Sequence, residues 1–194
     1  MKLTVEELIA RASLYWPADF EWYERGERAP ENDRRLALCK QQWQQRGEQW
    51  TALVADLRQQ LPGYSIHNAT APSEPCFRCS VYLPEKQLKP RLVQVVVGCL
   101  SMIAPVYTVY GLQYEFRPKK FYKKSNQQLL LDPLPPEMLA PADVVARRIE
   151  ARFDAERLTP EVAATPVPLY VDITFPPHAT LFHALISEQP TSVP

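Results

Sequence analysis

An α+β fold, with N-terminal helices packed on an antiparallel sheet of about four to six strands, is predicted by three features of the sequence. An apolar seam at helical spacing runs from Leu36 to Leu61, the apolar period changes to two from Tyr64 onward, and the links between the strand candidates are too short for crossover helices. With 194 residues, 46% of them hydrophobic, and 22 basic residues against 22 acidic ones, the chain is globular and not disordered. A single domain is expected over 1–188: a helical region over 1–63, a sheet region over 64–124, a Pro-rich linker over 132–141, and a helix with a last strand over 142–188. Residues 189–194 read as a flexible tail.

The first helix starts at a capping box, Thr4-Val5-Glu6-Glu7, whose hydroxyl and carboxylate each satisfy a free N–H, and Val5, Leu8, Ile9 and Ala12 form its apolar stripe. It is expected to run to about Tyr15. The second helix opens at Pro30 beside Glu31 and Asp33, which complement the positive end of the helix dipole. Leu36, Cys39, Trp43, Gly47, Trp50, Val54, Leu57 and Leu61 follow in steps of three and four. This seam of about 45 Å can cover a whole sheet or pair with another helix, and Trp43 and Trp50 are both expected to be buried. Pro62-Gly63 stops it.

Strand candidates are Tyr64 to Asn68, Cys76 to Leu83, Arg91 to Leu100, Val106 to Phe116 and a short piece from Phe121 to Lys124. The uncharged run from Leu92 to Tyr114 is long enough to cross a bilayer. Its β-branched residues, Pro105, Gly98 and Gly111 instead predict two central strands covered on both faces. After the linker a helix is expected from Pro141 to about Leu158, then a strand from Leu169 to Phe175. The stretch from Ala179 to Ser187 fits either period.

Chemistry-bearing motifs are sparse. Glycines stand only at 26, 47, 63, 98 and 111, so neither GxGxxG nor GxxxxGK[ST] can be written and no phosphate-cradling nucleotide site is expected. Cys76-Phe77-Arg78-Cys79 is a CxxC, and Cys76 and Cys79 are weak candidates as metal ligands. Zinc needs four ligands, a second pair is missing, and on a strand the two thiols face opposite sides, so no metal and no cofactor is expected. A Cys99, His67, Asp172 triad can be written down but has no nucleophile elbow behind it, and no catalytic residue is assigned. Sparse cysteines and an N-terminus without an apolar leader segment predict a cytoplasmic protein.

Charge is segregated despite the zero total. Residues 84–124 hold eight cations and two acids, while residues 125–194 hold four cations and nine acids. Between Tyr114 and Lys124 the cations alternate with aromatics, a composition that docks an acidic partner, holds single-stranded nucleic acid, or blunts a sheet edge. Without an RNP-type pattern the nucleic-acid option is the weaker one.

These absences favour a cytoplasmic, non-enzymatic protein-binding module that docks another protein with an acidic surface, with no membrane role. Arg117, Lys119, Lys120, Tyr122, Lys123 and Lys124, joined by Trp22 and Tyr23 of an aromatic-rich loop, are the expected contact residues. In its compact α+β body, patchy charge and lack of a catalytic motif, the profile is similar to that of bacterial immunity proteins, which neutralise a toxin by covering it. That similarity is one of profile alone and implies surface occlusion of a protein partner. The alternatives are a hydrolase or transferase with a spatially assembled site, and a nucleic-acid-associated accessory protein using residues 114–124.

Overall fold

The computed structural model describes residues 3–24, 27–84, 91–116, 124–187 and 189–192. Helix α1 (Val5–Ala12) begins at the predicted capping box: Glu7 N–H donates to Thr4 Oγ1 over 3.2 Å and Thr4 N–H to Glu7 Oε2 over 2.7 Å. A single turn, α2 (Glu21–Glu24), interrupts the loop that follows. Helix α3 (Pro30–Gln60) has Pro30 in its first position and Glu31 and Asp33 in its first turn.

Strands β1 (Ser65–Asn68), β2 (Cys76–Tyr82), β3 (Arg91–Ser101), β4 (Val106–Phe116) and β5 (Lys124–Leu130) form an antiparallel meander in chain order. Arg78 stands opposite Cys99 and Val97 opposite Tyr110. The uncharged run from Leu92 to Tyr114 is therefore the central pair β3–β4, and among the described residues no helix is long and apolar enough to cross a membrane. The β5 strand reaches further than its sequence signals. Ser125-Asn126-Gln127-Gln128 is polar and poor in strand formers, yet the free edge of β4 supplies ladder partners as far as Leu130, with a register shift near Gln113 and Asn126 at φ 55°.

Two more expectations need correction. The linker 132–141 is not wholly extended: α4 (Pro136–Arg152) begins inside it, because Pro136 occupies the first helical position, where no N–H is needed. Pro141 sits inside the helix at the cost of one backbone bond. After α4 the short β6 (Glu156–Arg157) pairs parallel with β4 at Val106 and Tyr107. Residues 169–175 do not form a further sheet strand. Pro166, Pro168, Pro176 and Pro177 remove ladder donors around them, and the chain folds back at Asp172, where φ is 44°. The turns α5 (Pro160–Ala163) and α6 (Leu181–Leu185) flank this segment, so the ambiguous stretch 179–187 contains a helix.

Each sheet face carries its own core. On one face Phe77, Cys79, Val81, Val96 and Tyr107 pack beneath Trp50, Leu53 and Leu57 of α3 and Met138, Val145 and Ile149 of α4. On the other, Cys76, Val95, Val97, Cys99, Tyr110 and Leu112 are covered by Leu8 and Ala12 of α1, by Trp16, and by the 158–187 segment with Leu169, Val171, Leu181 and Leu185. Period-two strands with both faces apolar demand this sandwich of coverings. Gly98 and Gly111 let α4 lie close, since a Cβ there would come within 2.4 Å of Val145 Cγ1 and 2.6 Å of Met138 Sδ respectively.

Candidate partner-binding face

The two halves of α3 have different surroundings. Its C-terminal half lies against α4: Arg152 pairs with Asp56, Gln49 Nε2 donates to the Arg152 carbonyl over 2.7 Å, and Arg148 Nε donates to Gln60 Oε1 over 2.9 Å. α4 ends at Arg152, which bonds Gln49 and Asp56, and the α4 side-chain bonds to α3 lie at Gln49, Asp56 and Gln60. Trp50 is accordingly fully buried, but Trp43 is 44% exposed, which corrects the expectation that both tryptophans are core.

Trp43 is nevertheless held in place. Its ring stacks on the buried Phe77 at 5.7 Å between centroids and 28° between planes, and Phe77 in turn lies 5.5 Å from Trp50. On its helix side the indole rests against Gly47, where a Cβ would stand 3.2 Å from the ring. The result is a fixed aromatic platform with one face open.

That platform lines a groove of about 420 Å³. Leu36, Cys39, Lys40, Trp43 and Gln44 of α3 line it together with Thr70, Ala71 and Pro72 of the loop after β1 and with Met102. The loop after β1 is pinned by short-range bonds. Asn68 Oδ1 accepts from the Thr70 N–H at 3.2 Å and its hydroxyl at 2.8 Å, and Thr70 Oγ1 accepts from the Arg78 N–H at 3.0 Å. Arg35 Nη1 donates to the Ser73 carbonyl over 2.8 Å and Cys39 Sγ donates to that of Glu74 over 3.5 Å, which ties this loop to α3.

Arg35 also links the groove to a second apolar feature. Its Nη2 lies 3.1 Å from Asp172 Oδ1, and its guanidinium sits 4.1 Å above the Trp16 ring. Asp172 and Ile173 form a two-residue turn closed by mutual bonds between Val171 and Thr174, of 2.9 and 2.7 Å. Burial pushes the Asp172 carboxyl above its ordinary value despite the neighbouring Arg35 charge. Ile173 at the tip is 68% exposed and Phe175 44% exposed. Phe175 belongs to an aromatic knot with Tyr170 at 5.7 Å and Phe20 at 5.7 Å, and Phe20 contacts Trp22 at 6.1 Å.

The predicted contact residues fare unequally. Trp22 lies in the aromatic knot, with its Nε1 donating to the Asp19 carbonyl over 2.9 Å. Arg117, Lys119, Lys120, Tyr122 and Lys123 fall outside the described residues, as do the side chains of Tyr23 and Lys124, the latter at the start of β5. Trp16, six residues before Trp22, is core, its Nε1 donating to the Ala184 carbonyl over 2.8 Å. Nothing in the local sequence marks Leu36 as lining a groove or Ile173 as exposed, because no short pattern distinguishes a groove wall or an exposed turn tip from ordinary core.

Other sequence candidates separate in space. Cys76 and Cys79 lie on opposite sheet faces, in different cores, and among the described residues no group of three or more His, Cys, Asp or Glu side chains is arranged to hold a metal ion. The triad written as Cys99, His67 and Asp172 does not assemble: His67 bonds Ser65, Asp172 bonds Arg35, and Cys99 is buried within the sheet's other core. Ser65 Oγ and His67 Nε2 are 2.9 Å apart on the edge strand β1. Among the described residues no carboxylate orients that histidine, and the Tyr82 ring stands perpendicular to it at 5.5 Å. Compared with known protein families, curated proteins and solved structures, the chain matches none.

Proposed function

We propose that the protein acts by binding another protein through the face that joins the Trp43 groove to the Ile173–Phe175 turn, covering the partner's surface as an immunity-type protein covers a toxin. The observation that carries this reading is Trp43, a large aromatic ring left open to solvent yet held rigid between Phe77 and Gly47. A preorganised aromatic beside an apolar groove loses little side-chain entropy on binding, which is the character of an interface anchor. The groove lining is mainly apolar and Lys40 is its charged residue, so the fitting occupant is an apolar side chain of the partner flanked by an acidic one. The basic residues between Arg117 and Lys124 strengthen the preference for an acidic partner. All four cysteines are free and buried, which supports a reducing compartment such as the cytoplasm as the setting.

Affinity capture from the source cell with the wild-type chain, repeated with Trp43→Ala and Ile173→Asp, tests the reading. Both variants are expected to keep the wild-type circular dichroism spectrum and to bind the captured partner at least tenfold more weakly. A partner held equally by Trp43→Ala but released by Lys119→Glu with Lys123→Glu moves the contact to the basic stretch. The enzyme alternative rests on the Ser65–His67 contact, and labelling of Ser65 by a fluorophosphonate that disappears in His67→Ala would favour a hydrolase instead.

A further inference from the structure

Beneath the chain's 189–192 segment lies a buried polar cluster that the partner-binding reading does not use. Arg78, in the middle of β2 and only 2% exposed, stands opposite Cys99 in the β2–β3 register, on the same sheet face. Cys76, two residues along the same face and in the same core cluster as Cys99, donates from its Sγ to Glu74 Oε2 over 3.9 Å. Glu74 Oε2 lies 2.6 Å from Arg78 Nη2, while Arg78 Nε has no hydrogen-bond partner. A desolvated guanidinium with an unsatisfied donor beside a thiol favours a negative charge on that thiol.

The cluster's roof is thin. Arg78 Nη1 donates to the Ser192 carbonyl over 2.9 Å, and the hydroxyl of Tyr110 on β4 donates to the Pro190 carbonyl over 3.0 Å. Two side-chain hydrogen bonds thus tie to the sheet the stretch that the sequence marks as a tail. Its remaining bonds are local, from Gln189 N–H to Ser187 Oγ and from Ser192 N–H to the Gln189 carbonyl. Such a segment opens far more readily than the strands below it.

We propose that Cys99 is a modification site, oxidised to a sulfenic acid by hydrogen peroxide or an alkyl hydroperoxide when the 189–192 segment lifts from Arg78 and Tyr110. The sulfur attacks the terminal peroxide oxygen, the O–O bond breaks, and the departing hydroxide or alkoxide leaves as water or alcohol with the proton the thiol sheds. Sulfur is oxidised by two electrons and the peroxide is reduced by two. The sulfenic acid then stands beside the Cys76 thiol. If Cys76 attacks it, a disulfide forms and water leaves.

Electrostatics separate this cysteine from the other three. Burial pushes the Cys99 thiol up, but the neighbouring Cys76 thiol and the Arg78 charge outweigh it, and the thiol lies below its ordinary value even with Glu74 opposing. Cys76 is held well above its ordinary value, first by its neighbour Cys99 and then by burial. Burial pushes Cys79, on the opposite face, up to about 12, and raises Cys39 as well. The Tyr110 phenol, also raised by burial, stays neutral and a donor.

The test exposes the full-length folded chain to limiting hydrogen peroxide with dimedone present and follows all four cysteines by peptide mass spectrometry. Cys99 is expected to react at least tenfold faster than Cys39 or Cys79, appearing as the dimedone adduct or as a disulfide with Cys76; either product supports the proposal. Tyr110→Phe, which frees the Pro190 carbonyl while keeping the ring, is expected to raise the Cys99 rate several-fold without raising that of Cys39 or Cys79. Equal rates at all four thiols, matching the rate of global unfolding, would overturn it, as would a Cys99 that reacts no faster than Cys79.

Discussion

His183 shows how one side chain can carry a pH dependence. Its Nδ1 accepts the Thr180 N–H at 3.2 Å and lies 2.9 Å from the Thr180 hydroxyl, closing the N-terminus of α6 in the place a glutamate would take in a capping box. Accepting at Nδ1 requires the neutral ring, and burial lowers its proton affinity in the folded state. The unfolded chain therefore binds the proton more readily. Stability is expected to be fully present above the ordinary histidine value near 6.5 and to fall as pH drops through it toward the lower folded value. Urea midpoints measured across that window should show the fall in wild type and a flatter profile in His183→Gln. The capping role was not legible in the sequence, since Thr180-Leu181-Phe182-His183 has no acid at the third helical position. Thr4 and Glu7 spell out the standard box, and there the sequence pattern and the bonds agree.

At the scale of the element, α3 separates what periodicity reveals from what it hides. Its limits at Pro30 and Pro62-Gly63 were legible because proline and glycine act through the local backbone. How much of its seam is buried was not, since that depends on how far α4 reaches, and a repeat of three and four looks the same under a neighbouring helix as under solvent. The two tryptophans give the measurement. Trp50→Ala empties a site packed against Phe77 and Phe153 and is expected to cost about 3–5 kcal/mol. Trp43→Ala loses one stacking face in a half-wet site and is expected to cost about 1 kcal/mol or less. Urea denaturation of the two variants side by side checks the order, and a larger loss for Trp43→Ala would make that residue structural rather than an anchor for a partner.

For the whole molecule, the meander with its α3 covering was legible, because adjacent strands with short links have few alternative pairings. The covering of the other face was not. Residues 158–187 pack by Leu158, Val167, Leu169, Val171 and Leu185 without any sustained period, and their prolines suppress the signals of regular structure. The groove was not legible in place, because it joins α3 to loop residues far apart in sequence. During synthesis this layout sets an order of events. Strands β1 to β5, α3 and α4 have all emerged once Arg152 leaves the ribosome, while the strand side chains Val95, Val97, Tyr110 and Leu112 still await residues 158–187. A chain stopped after Arg157 is expected to keep strand and helix signals in circular dichroism, to bind the dye ANS strongly, and to aggregate at concentrations where the full chain stays dispersed. The nascent protein thus passes through an interval in which a wide apolar sheet face is on offer to any chaperone near the exit tunnel, and the interval closes only when a proline-rich segment with little regular structure of its own lies down on it.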